Sequence, residues 1–140
     1  MKTDDVRDVY LGGGAELGRR VGAAPDGPVD WHVTTKLRED LGAEMAGQVL
    51  RLAVTDLRGA MGHYATALRT GDAERARSAA HVLSSVADVI GAGALAAKAR
   101  EAEVTARAGR LAAPAAGELE RLVDAAAAEV EHHLRPGAVV

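Results

Sequence analysis

A histidine followed by two serines and an aspartate, all on one helical stretch, are the residues of this 140-residue chain best placed to do chemistry. They lie in the segment from about Ala73 to Ile90, AERARSAAHVLSSVADVI. Read as a helix, that segment has one apolar row of Ala76, Ala80, Leu83, Ala87 and Ile90 and a second of Ala79, Val82, Val86 and Val89. Helical spacing merges the two rows into one broad sector. A narrow polar strip is left over: Arg77, Ser78, His81, Ser84, Ser85 and Asp88. His81 is therefore expected to face outward from the middle of its helix. An imidazole has an ordinary pKa of about 6.5, so a solvated one is largely uncharged at neutral pH and can act as a nucleophile without special tuning. On a ridge beside small hydroxyl side chains it could enter a partner's cleft.

No other set of residues makes a comparable case. Gly12-Gly13-Gly14 suggests a phosphate loop, but Leu17 stands where the next glycine is needed and no strand pattern comes before it. The adjacent His132 and His133 point about 100° apart on a helix and cannot readily share a metal. His32 and His63 fit no ligand pattern, and His63 falls beside core positions. Glu101 with Glu103, and Glu129 with Glu131, are two residues apart and diverge, so neither pair forms an acid–base dyad. The charged residues from Ala97 to Arg110 read as a solvated face. There is no cysteine, which excludes disulfides, thiolate metal sites and cysteine nucleophiles. A net charge of -3 gives no basic footprint for nucleic acid. With no long apolar run and no apolar core in MKTDDVRDVY, neither a membrane span nor a signal peptide is expected, and the cytoplasm is the expected location.

The elements that must position His81 follow from periodicity and stop signals. Hydrophobic residues make up 48% of the chain, mostly Ala, Leu and Val with no Phe, which suits closely packed helices. Pro25-Asp26-Gly27-Pro28 marks a boundary. Beyond it comes a short helix with Val33, Leu37 and Leu41 inward, Trp31 covering one end of the core, and Gly42 as its stop. A long helix from Ala43 to Arg69 carries Met45, Val49, Leu52, Ala53, Leu57, Met61, Tyr64 and Leu68 at three- and four-residue steps. Gly71 ends it and Asp72 caps the His81 helix, which Gly91-Ala92-Gly93 closes. A further helix has Leu95, Ala99, Ala102 and Ala106 inward and stops at Gly109. The last begins near Pro114 and places Leu119, Leu122, Val123, Ala126, Val130 and Leu134 on one side, ending at Pro136-Gly137. The fold class expected is all-α: an antiparallel up-down four-helix bundle with a short extra N-terminal helix. Residues 1–27 read as an N-terminal extension with a break at the three glycines, 28–135 as the bundle and 136–140 as a tail.

From about Pro28 to Leu134 the chain resembles the histidine-containing phosphotransfer (HPt) domains of bacterial phosphorelays. The residues that carry the resemblance are Pro28-Val29-Asp30, Glu39-Asp40-Leu41-Gly42, the Gly71-Asp72 turn, Ala80-His81-Val82-Leu83, Ile90-Gly91-Ala92 with Leu95, and an acidic position at Glu103. The resemblance implies a phosphorelay intermediate that carries a phosphoryl group on His81, without kinase activity of its own. It implies transfer to and from the aspartates of response-regulator receiver domains, with a hybrid histidine kinase as a further candidate partner. Arg77, Ser84, Ser85 and Asp88 would then contact the receiver, together with nearby ends of the first two helices. No cofactor and no metal are expected on this chain, since Mg²⁺ would sit in the receiver. A monomer is expected, because no apolar stripe is left beyond the needs of one core. Two positions depart from the family pattern: Ser84 stands where the family has lysine and Ser85 where it has glycine. Arg77 could supply the missing positive charge. The departure also opens an alternative, a degenerate HPt-like adaptor that binds a receiver or kinase without carrying phosphate.

Overall fold

The computed structural model describes residues 27–111 and 113–135. The expected N-terminal extension up to residue 26, with its glycine break, and the tail at 136–140 lie outside the described residues. Five helices follow one another: α1 (Trp31–Leu41), α2 (Ala43–Thr70), α3 (Ala73–Ile90), α4 (Gly93–Arg107) and α5 (Ala113–Leu134). No strand occurs among the described residues. Helices α2 to α5 run up and down and pack in a closed ring, α2 on α3, α3 on α4, α4 on α5 and α5 back on α2. The short α1 lies against α2 and α3 at one end. The expected fold class is the observed one.

Capping chemistry sets the boundaries. The Asp30 carboxylate accepts the backbone N–H of His32 at 2.9 Å and starts α1. The Asp72 carboxylate does the same for α3, accepting from Arg75 N–H at 3.0 Å. Gly71 and Gly91 end α2 and α3 in the left-handed region, at φ 71° and 73°. Gly91 is also a docking point. A Cβ there would come within 2.9 Å of the Asp30 carbonyl and 3.0 Å of Val33, and Asp30 N–H donates to the Gly91 carbonyl at 2.9 Å. The start of α1 is thereby fastened to the end of α3.

The core lies along the axis of the ring. Its largest fully buried side chains include Leu57, Leu83, Ile90, Leu95, Leu119 and Val130. Alanines fill the seam between α3 and α4: Ala76, Ala80 and Ala87 on one side, Ala96, Ala99 and Ala106 on the other are all buried. Such small side chains let two helix backbones approach closely. On α2 the buried face is wider than the periodic pattern indicated. Ala46, Leu50, Val54, Ala60 and Ala67 are buried as well, while Met45, Leu52 and Leu68 are only partly so. The reason is that α2 is contacted by three helices, α1, α3 and α5.

Trp31 is partly buried against the core. Its ring stacks on His133 of α5, with centroids 4.4 Å apart and planes 27° apart. This contact joins α1 to the end of α5. Burial, with Arg38 and His132 nearby, holds the His133 imidazole below its ordinary pKa.

Candidate functional site

His81 stands at mid-length on α3, and 62% of its side chain is exposed. Its Nδ1 lies 3.1 Å from Oε2 of Glu103 on α4, a carboxylate only 13% exposed. A carboxylate offers no proton, so in this pair Nδ1 is the donor and the neutral ring keeps its lone pair on Nε2. The second nitrogen is thus left as the nucleophilic atom on an exposed side chain. Arg107, one turn further along α4, donates to the same Glu103 oxygen at 3.0 Å.

The remaining expected site residues separate into three environments. Arg77 is held by Glu74, with its Nε 3.1 and 3.2 Å from the two carboxylate oxygens and Nη2 at 2.6 Å. That pairing, and the hydrogen bond above all, lowers the carboxyl of Glu74 and raises the guanidinium of Arg77 relative to their ordinary values. Ser85 is half-buried. Asp88 is largely covered and ion-paired with Arg100 of α4 at 3.1 Å.

Ser84 requires a correction. The helical pattern placed it on the exposed strip, yet it is 5% exposed and its hydroxyl donates to the backbone carbonyl of His81 at 2.9 Å. Val82, assigned above to the apolar sector, is 39% exposed instead. The ion pairs of His81 with Glu103 and of Asp88 with Arg100 put α4 on one flank of α3, while Val82, on the other flank, lines an opening toward α2. On that side a groove of about 490 Å³ runs between α2 and α3. Ser78, Ala79 and Val82 line it from α3, facing Thr55, Gly59 and Ala60 of α2. At its rim Arg75 donates to Nδ1 of the exposed His63 at 3.0 Å, so the proton of the neutral His63 ring is on Nε2.

Glu103 lies outside the strip expected to form the site, in a charged stretch whose pattern is that of a solvated face. Three of its members instead reach other helices: Glu103 to His81, Arg100 to Asp88 and Lys98 to Glu118. The available signal was the acidic position that Glu103 occupies in the family pattern. His32 and His132 are exposed. Among the described residues no group of three or more histidines and carboxylates could hold a metal ion, and no helix is long and apolar enough to cross a membrane.

No family model matches the chain, and no curated protein matches it. A solved structure does: the crystal structure of histidine-containing phosphotransfer protein B (HptB) from Pseudomonas aeruginosa PAO1, with a TM-score of 0.73 at 24% sequence identity. The match covers 79% of this chain and 96% of that one. At that identity the likeness is one of fold. The chain has the fold of a histidine-containing phosphotransfer protein, the fold that its sequence resemblance implied.

Proposed function

We propose that this chain is a phosphorelay intermediate that carries a phosphoryl group on His81 between receiver-domain aspartates of two-component signalling proteins. The observation that carries the proposal is the His81–Glu103 pair on an exposed helix ridge. In the step proposed, Nε2 attacks the phosphorus of a receiver's aspartyl phosphate. The N–P bond forms as the acyl P–O bond breaks, and the aspartate leaves as carboxylate. The proton on Nδ1 stays in place, so the ring becomes cationic as it is loaded. Glu103 faces that new charge directly, so a hydrogen bond from a neutral ring to a carboxylate becomes one between two opposite charges. The reverse step passes the phosphoryl group to the next receiver. Mg²⁺ and its carboxylates belong to the receiver, and this chain acts as carrier, not kinase, in the cytoplasm. The receiver closes over His81 from the α2 side, where the groove and Val82 are open.

The test is incubation with a phosphorylated receiver and Mg²⁺. The expected outcome is acid-labile, base-stable label on the chain that is lost in His81→Gln. The adaptor reading keeps one observation in its favour: the position of the family's lysine is held by Ser84, which is buried and bonded to its own helix. A chain that binds the receiver tightly but never takes label would decide for the adaptor.

A further inference from the structure

We infer that the groove between α2 and α3 is a self-association surface, on which a second copy of this chain docks about a two-fold axis with Arg75 of each copy meeting Asp56 of the other. The pairing does not depend on the carrier reading above; only its consequence for the receiver does.

The groove is apolar along its length and oppositely charged at its ends. Gly59, Ala60, Ala79 and Val82 line it, and Val82 is one of two large hydrophobic side chains exposed among the described residues. Because α2 and α3 run antiparallel, Arg75 and His63 mark one end while Asp56 and Val82 mark the other. Along α2, His63 is seven residues beyond Asp56, about 10 Å on a helix axis. Neither charge is balanced within one copy. The Arg75 guanidinium meets the neutral ring of His63 and no carboxylate, and Asp56 makes no hydrogen bond or ion pair among the described residues.

That arrangement is its own complement. A two-fold axis through the middle of the groove, beside Gly59 on α2 and Ala79 on α3, turns one copy end for end. The Arg75 end of each copy then faces the Asp56 end of the other, as an isologous interface requires. Two unbalanced cations and two unpaired carboxylates become two ion pairs, and each exposed Val82 is covered by the opposite copy. The middle of the groove carries small side chains, and nothing lies within 4 Å of a Cβ placed on Gly59, so the two copies can approach closely there. An occupant of a single charge sign would leave one end unpaired. The monomer expected from periodicity counts spare stripes on single helices, whereas this surface is shared between two.

Charge exchange tests the pairing by analytical ultracentrifugation of the full chain. The parent should sediment as a concentration-dependent mixture of monomer and dimer. Asp56→Arg and Arg75→Asp each set like charges opposite one another at both ends of the interface, so each should weaken association about tenfold or more. An equimolar mixture of the two variants should recover it, because in the mixed dimer two cations of one copy meet two carboxylates of the other. That recovery also shows that both variants are folded. A parent chain that stays monomeric up to about 1 mM would overturn the inference. So would a dimer indifferent to both reversals, or a mixture that associates no better than either variant alone. The receiver is proposed to close over His81 from this same flank, so adding it should dissociate the parent dimer. A dimer that survives saturating receiver would put the receiver's docking surface elsewhere, and the charge exchange would still decide on the pairing.

Discussion

The two flanks of α3 differ in what closes them. Toward α4 the seam is built of alanines and sealed at its surface by charged pairs, His81 with Glu103 and Asp88 with Arg100. Toward α2 the upper part of the seam stays open as a groove lined by Ser78, Ala79, Val82, Gly59 and Ala60. The closed flank fixes the His81 ring and selects which nitrogen it presents. The open flank leaves room for whatever approaches that nitrogen. The carrier role proposed for His81 would need both, since a ring held on each side could not be reached and a ring held on neither would present its two nitrogens indifferently.

The largest effect that would break this division is loss of the ring itself. His81→Gln should abolish labelling by a phosphorylated receiver while leaving the melting curve intact, because the side chain is mostly solvated. Retained label would place the chemistry elsewhere. On the open flank, Ser78→Trp should fill the groove and weaken receiver binding more than tenfold, the scale of a disrupted interface anchor. Arg100→Ala on the closed flank should leave binding within about twofold, as is usual for rim charges. Titration calorimetry or surface resonance with a receiver distinguishes them, and equal effects would erase the contrast between the flanks.

Glu103→Gln sharpens the comparison from the closed side. Glutamine can still accept from Nδ1 but cannot match the charge of a loaded ring, so transfer should slow about tenfold with binding unchanged. Rapid-quench kinetics would measure it, and ¹⁵N shifts of His81 would show a tautomer mixture where the parent has one form. Ser84→Lys, which restores the family's residue, tests whether that position is covered by α4. Forcing a long side chain into a 5%-exposed site should cost about 1–3 kcal/mol by denaturant unfolding. No loss of stability would mean that α4 does not close over Ser84.

The smallest effect concerns the far end of the bundle. The folded chain holds His133 below its ordinary pKa, so it binds that proton less readily than the unfolded chain does. Stability should therefore rise with pH through the window just below about 6.5 and fall on acidification through it. Melts between about pH 7.5 and about pH 5.5 should show a smaller acid loss in His133→Phe, which keeps an aromatic ring against Trp31. An unchanged acid loss would assign the pH dependence to other groups.

Much of this was legible in the chain itself. Gly42, Gly71 and Gly91 announce helix ends because only glycine takes a positive φ freely, and the structure places each at a positive φ. The inward rows of α4 and α5 follow periodicity, and His81 is on the outside as its polar neighbours indicated. The errors are local and share a cause. Ser84 and Val82 exchange places relative to the pattern, and Glu103 leaves the solvated face, because periodicity fixes the angles around one helix axis but not the side from which the next helix leans.

The order and ends of the helices and the residue displayed are thus properties of the sequence: they depend on caps, stops and spacing, each settled within a few residues. Which nitrogen of His81 is free, which arginine stands behind it and which flank is open depend on Glu103 and Arg107 arriving from α4, more than twenty residues away in the chain. Those arrangements arise only when the alanine seam brings α4 against α3, because a hydrogen bond near 3 Å is decided by the distance between two helix axes, and no single helix contains that distance.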